Sequence, residues 1–230
     1  MQTSLQILKI YLDTCCLCRL SDAQVQLRVR QETEAIKTIL AAFQADRWLW
    51  VASEILMNEV KKIRDLTQRD ETMGVLQRAH QNVSVGAVED ARVKQLEAFG
   101  FKPYDALHIA CAESGEADVF LTTDDQVLNT AKRHSSHLRV RVENPHMWIQ
   151  EMNDMNQNQL REEQDEQERQ RQKAEFRALL DKMFAFKGGK GNYTEDRHKQ
   201  PMPDIDTIVK EIIEAREAKQ ATEKSPAQEE

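Results

Sequence analysis

Along the first 150 residues the apolar positions switch repeatedly between a strand-like and a helix-like period. Residues 5–12 (LQILKIYL) form a mostly apolar run that reads as a buried strand and stops at Asp13. Over residues 32–46, Ala35, Ile36, Ile39, Leu40 and Phe43 recur at helical spacing, which predicts a helix with one buried face. Residues 48–52 (WLWVA) predict a second strand, and residues 54–66 a helix with Ile55, Leu56, Val60 and Ile63 turned inward. A helix over 71–79 and a short strand, Val83-Ser84-Val85, follow. The next helix, 88–99, is stopped by Gly100. Pro103 opens another, because the N–H it lacks is not needed in a first turn. That helix extends to residue 113 and ends at Gly115. Residues 119–122 predict a strand, Asp124 starts a helix, and 138–142 (LRVRV) predict a last strand. Asn144-Pro145 then turns the chain into a short helix carrying Trp148. Strands separated by helices of this length predict a parallel sheet with crossover helices.

The pattern changes after Met152. Residues 153–175 are mostly Asn, Gln, Glu, Arg and Asp without Gly or Pro, as in a solvated helix or a linker. Phe176, Leu179, Leu180, Met183 and Phe184 make a small amphipathic set, which the FKGGKG stretch at 186–191 interrupts. Ile205, Ile208, Val209, Ile212 and Ile213 repeat at helical spacing, with Asp204 or Asp206 as the cap. The expected organisation is therefore an α/β domain over 1–150, a charged helix or linker over 151–175, an amphipathic docking segment over 176–220 and a disordered tail over 221–230. The segment beyond residue 150 has too little apolar content for its own core, so its two stripes need a surface to dock on.

Bulk composition narrows this only modestly. With 230 residues, 40% hydrophobic, the chain has room for one sizeable domain with an appendage, or two small domains. A net charge of −7 excludes a global basic field for nucleic acid, although a local basic rim is compatible with it. No apolar run approaches the length of a membrane span, and the N-terminus lacks the basic start and apolar stretch of a signal peptide, so a cytoplasmic location without membrane partners is expected. Cys15, Cys16 and Cys18 cluster and Cys111 stands apart, a poor layout for a disulfide framework. Cys15 and Cys18 have C-x-x-C spacing but no second pair or matching histidines for zinc, so they read as small apolar residues of a strand-to-helix turn.

The candidate chemistry lies in the acidic residues. Asp13 and Asp124 end strand-like runs, and an open parallel sheet binds ligands at the carboxyl ends of its strands. Asp105 lies in the first turn of the helix opened by Pro103, and Glu59 lies within the second helix. Each alone has a local explanation: Asp105, Asp124 and Asp125 as helix-start residues, Glu59 as an exposed helix carboxylate. Jointly they predict a pocket of carboxylates whose repulsion a divalent cation relieves, and hard oxygen ligands favour Mg²⁺ or Mn²⁺. No Ser, Cys or His constellation points to a covalent intermediate.

The segments YLDT, SEILMNEV, YDALHIACAE and ADVFLTTDDQVL, in this order and at these separations, resemble the PIN domain, and in particular the VapC-like toxin ribonucleases of toxin–antitoxin systems. The resemblance spans residues 7–150, and DALHIA followed by FLTTDD is its most specific part. It implies a three-layer α/β/α fold with a central parallel sheet and a Mg²⁺- or Mn²⁺-dependent endoribonuclease acting on single-stranded or structured RNA. Asp13, Glu59, Asp105 and Asp124 take the four catalytic acidic positions, with Asp13, Asp105 and Asp124 as metal ligands. Glu54 competes with Glu59 for the second position, Asp125 is an accessory acid, and Thr122 orients Asp124 or a phosphate. His108 is assigned to packing. Arg19, Arg28, Arg30, Lys61, Lys62 and Lys102 are candidate RNA contacts. The resemblance also implies a homodimer or an antitoxin as partner. The helical, partly disordered C-terminal extension weakly resembles the toxin-wrapping half of an antitoxin, with Lys187, Lys190, Arg197 and Lys199 placed to block the acids. A non-catalytic RNA-binding or partner-recruiting module is the rival reading.

Overall fold

A computed structural model describes residues 7–186 and 210. The chain divides after Asn156, and the first unit contains the sheet. Strands β1 (Lys9–Leu12), β2 (Leu49–Ser53), β3 (Gln81–Val83), β4 (Val119–Leu121) and β5 (Arg141–Glu143) pair in the order β3-β2-β1-β4-β5. All four pairings are parallel. In register, Tyr11 of β1 sits between Val51 of β2 and Phe120 of β4.

Side chains along a strand alternate between faces, and here each face has its own core. Ile10, Leu12, Trp50, Ala52, Val119 and Leu121 point to one side, where they meet Leu17 of α1 (Thr14–Arg19), Ile36 and Ile39 of α2 (Leu27–Gln44), Leu76 of α4 (Leu66–Leu76) and Trp148 of α8 (Pro145–Phe186). Tyr11, Val51 and Phe120 point to the other, where they meet Leu96 of α5 (Ala87–Ala98), Ile109 of α6 (Pro103–Ser114) and Val127 of α7 (Asp125–Arg133). The short helix α3 (Glu54–Val60) contributes Leu56 and Val60 to the first core and Ile55 to the second. This is the expected three-layer α/β/α arrangement around a parallel sheet.

Several boundaries differ from expectation: the strand expected over 83–85 lies at Gln81–Val83, the last strand at Arg141–Glu143 instead of 138–142, and α2 starts earlier, at Leu27. Two further differences have a clear local reason. The helix expected over 54–66 breaks after Val60. Ser53 caps α3 by accepting from the Leu56 N–H, and Asp65 caps a new helix by accepting from the Gln68 N–H at 2.9 Å, so α4 begins at Leu66. The helix carrying Trp148 is not short. It continues through the charged stretch to Phe186, where no Gly or Pro interrupts good helix formers. Four-residue pairs line its surface, including Gln170 donating to Glu166 at 2.8 Å and Arg171 with Glu175 at 3.6 Å. Side chains 153–175 are exposed all round. Among the described residues no helix is long and apolar enough to cross a membrane.

Gly115, which follows α6, is the described glycine with the least room for a side chain. A Cβ there would lie 2.5 Å from Val51 Cγ1 and 3.1 Å from Val83 Cγ2, both on strands of the sheet. The backbone at Gly115 is not left-handed, so the constraint is space alone. Gly115→Ala is expected to cost about 1–3 kcal/mol, read as a lowered Tm and urea midpoint.

Candidate acidic site

The cluster is assembled where β1 and β4 end side by side. The Asp13 N–H donates to the Leu121 carbonyl at 3.0 Å, so the residue after β1 is fixed against the end of β4. Asp13 occupies the N-cap position of α1, but its carboxylate does not cap the helix. Oδ2 instead accepts from Thr122 Oγ1 at 2.7 Å and from Cys15 Sγ at 3.1 Å. Thr122 Oγ1 also accepts the Asp124 N–H at 3.2 Å. This one hydroxyl therefore positions both the Asp13 carboxylate and the Asp124 backbone. Asp124 caps α7, accepting the Gln126 N–H at 2.7 Å on Oδ1.

Glu59 and His108 come from helices α3 and α6. Glu59 Oε2 accepts hydrogen bonds from Thr14 Oγ1 and from His108 Nε2, the latter at 2.8 Å. His108 is only 2% exposed. Its Nδ1 meets the Tyr11 hydroxyl at 2.8 Å, and that hydroxyl in turn meets Ser53 Oγ. His108 Nε2 also lies 4.0 Å from Asp13 Oδ1. One ligand atom each from Asp13, Glu59 and His108 lie within 4.8 Å of one another, a grouping able to hold a divalent cation. Asp105 is one helical turn before His108, in the first turn of α6.

The charges bear on one another. Burial raises the Asp105 carboxyl above its usual range, and the negative charges of Asp13 and Asp124 raise it further against the pull of Lys102 and His108. Burial alone would raise Glu59 too, but hydrogen bonds from His108 and Thr14 outweigh it and bring its pKa down. For His108, burial works against the charged form, while the bond to Glu59 and the charges of Asp13, Glu59 and Asp105 prevail and raise its pKa. Carboxylates whose negative charges oppose one another, with the His108 imidazole beside Asp13 and Glu59, fit a cation by donor chemistry. Oxygen donors suit Mg²⁺ and Mn²⁺, and the nitrogen donor suits Mn²⁺ better.

The structure thus groups Asp13 and Glu59 with His108, sets Asp105 where it feels the charges of Asp13 and Asp124, and links Asp13 to the Asp124 backbone through Thr122. Glu54 faces elsewhere, accepting the Val85 N–H at 3.1 Å. The carboxylate of Asp125 is exposed and held at both oxygens by Arg28, at 2.7 Å each. Arg28 also joins the buried Glu32, which pairs with Arg19 at 2.9 Å and accepts from Asn144. Two of the basic RNA-contact candidates, Arg19 and Arg28, are therefore committed to structural ion pairs. Lys187, Lys190, Arg197 and Lys199 lie outside the described residues.

Sequence reasoning missed three participants. His108 is as buried as a packing residue, yet both ring nitrogens are engaged and one bonds a cluster carboxylate. Its three-residue spacing from Asp105 was the available signal. Cys15, read as a small apolar residue, puts Sγ on Asp13 and Thr122 and accepts the Thr123 N–H at 3.2 Å. Tyr11 read as strand core, and only the fold shows its hydroxyl behind His108. His108→Phe removes a donor from Glu59 and a partner from the buried Tyr11 hydroxyl. It is expected to destabilise the fold by about 1–3 kcal/mol, with His108→Gln losing less, as chemical denaturation would read out.

No protein-family model and no curated protein matches the chain. Among solved structures, it is similar to FitAcB from Neisseria gonorrhoeae at 15% identity and a TM-score of 0.41, covering 59% of this chain and 97% of that one. It is similar to VapBC2 from Rickettsia felis, bound to a promoter DNA fragment, at 14% identity and a TM-score of 0.42, covering 60% and 98%. VapBC-1 from nontypeable Haemophilus influenzae is similar at 13% identity and a TM-score of 0.41, covering 60% and 98%.

Proposed function

We propose that this chain is a PIN-type, metal-dependent endoribonuclease acting on single-stranded RNA, with Asp13, Asp105 and Asp124 holding Mg²⁺ or Mn²⁺ and Glu59 acting on the attacking water. The observation that carries this reading is the grouping of Asp13 and Glu59 with His108 within 4.8 Å at the carboxyl end of β1, beside an Asp105 carboxyl that burial and then the charges of Asp13 and Asp124 raise. A bound divalent cation would supply neutralisation of the phosphate oxygens and activation of water.

The chain's own residues supply the rest. Glu59, held in its ionised form by His108 and Thr14, is suited to orient a water and take its proton. Thr122 keeps Asp13 and the start of α7 in register as charge develops. Water is favoured over the ribose 2′-hydroxyl as nucleophile, because the cluster's one imidazole is buried and committed at both nitrogens. The water oxygen bonds to phosphorus, the P–O3′ bond breaks, and O3′ leaves with a proton.

The test is incubation of the full chain with an end-labelled single-stranded RNA pool under Mg²⁺ or Mn²⁺ titration. Cleavage that EDTA abolishes is expected. RNA retained on the protein but left intact with either metal would favour the binding module.

A further inference from the structure

An exposed tyrosine with a lysine against it adjoins two of the acids in sequence, Asp105 and Glu59. Tyr104 immediately precedes Asp105 in the first turn of α6, and Lys62 lies three residues beyond Glu59. The Lys62 Nζ sits 5.1 Å from the centroid of the Tyr104 ring and 3.3 Å from its hydroxyl oxygen. Tyr104 is 51% exposed and belongs to neither core. With half its surface in water, the Tyr104 side chain is accessible to a ligand. Lys62 also helps to hold Glu59 ionised, which places its positive charge within reach of the cluster as well as the ring. Lys102, one helix turn away in sequence, acts in the same way on Asp105.

We infer that Tyr104 and Lys62 form a subsite for one unpaired nucleotide of the RNA, the base stacking on the exposed ring and Lys62 meeting the adjoining phosphate. This inference rests on the ribonuclease reading and specifies how the strand is held beside the acids. A polyanion approaching four carboxylates needs local positive charge at the rim, and net charge elsewhere on the chain is negative. Every base has a π-face, so stacking confers affinity with little sequence preference, and it is closed to bases already stacked in a duplex. The subsite therefore selects unpaired RNA.

The test is fluorescence anisotropy of a fluorescein-labelled single-stranded oligoribonucleotide with the full chain in Ca²⁺, the strand checked by gel for integrity. Tyr104→Ala is expected to weaken binding about 5- to 100-fold, with Tyr104→Phe within about twofold of wild type. Lys62→Met is expected to flatten the salt dependence by roughly one ion. Residual binding to a blunt RNA duplex should not respond to Tyr104→Ala. Equal affinity of Tyr104→Ala and wild type for the single strand would overturn the subsite alone. So would a loss in Tyr104→Phe as large as in Tyr104→Ala, which would point to the hydroxyl instead of the ring. A wild-type chain that neither binds nor cleaves RNA would overturn the ribonuclease reading and the subsite with it.

Discussion

Asp13→Asn is expected to reduce RNA cleavage by at least about 100-fold while leaving the fold intact. The amide keeps the shape of the carboxylate and can still accept from Thr122 at the end of β1, so the join between β1 and β4 survives. What it loses is the negative charge at the centre of the cluster, where His108 Nε2 is 4.0 Å from Asp13 Oδ1 and where Asp105 feels the same charge. Glu59→Gln is expected to lose activity as well, since an amide cannot take a proton from water. Glu54→Gln is the contrast: its oxygen still accepts the Val85 N–H, and cleavage should stay within about threefold of wild type. Circular dichroism and Tm alongside initial cleavage rates separate lost chemistry from lost structure. Equal losses in Glu54→Gln and Glu59→Gln would show that placement in the cluster does not matter, and the site assignment would fail.

Asp105→Asn is expected to raise the Tm of the metal-free protein and to abolish most of its stabilisation by Mn²⁺. The folded-state carboxyl of Asp105 is raised by burial and by the charges of Asp13 and Asp124. A raised carboxyl favours the fold while protonated, and that contribution disappears as pH rises through its folded-state value. Above that value the wild-type chain without a cation carries an unfavourable ionised Asp105, and the amide removes it. With a cation at 100 times its Kd, the wild-type chain gains about 2.7 kcal/mol, roughly 5–10 °C for a chain of this size. Thermal melts with and without Mn²⁺, near pH 5 and near pH 7.5, read both effects. A variant that gains as much from Mn²⁺ as wild type would remove Asp105 from the cation site.

Much of this was legible in the residues, because the local signals agree with the packing. The alternation of Ile10, Tyr11 and Leu12 divides cleanly between the two cores, as do Val119, Phe120 and Leu121. Strand ends then place Asp13 and Asp124, and Pro103 places Asp105 in a first turn. The misses of Tyr11 and His108 share a cause: side-chain hydrogen bonds between distant segments leave little local trace. Tyr11 to His108, and His108 to Glu59, span separations of 97 and 49 residues. The one local mark on His108 is its three-residue spacing from Asp105; its burial is that of a packed core residue. The choice between Glu54 and Glu59 was open for the same reason. Both lie on a helical run, and only the contacts of Glu54 with Val85 and of Glu59 with Thr14 and His108 tell them apart. The length of α8 was missed differently, since a polar stretch without Gly or Pro suits a solvated helix and a linker equally well.

The chemistry of the cut ends tests the central claim most directly. A 5′-labelled single-stranded RNA carrying one 2′-deoxynucleotide at the cleaved position should be cut in Mg²⁺ or Mn²⁺ as readily as the all-ribose strand, leaving a 5′-phosphate and a 3′-hydroxyl. Those products require water as the nucleophile, and the need for Mg²⁺ or Mn²⁺ requires a cation in the reaction. A 2′,3′-cyclic phosphate, cutting that needs the 2′-hydroxyl, or cutting that continues in EDTA would contradict it.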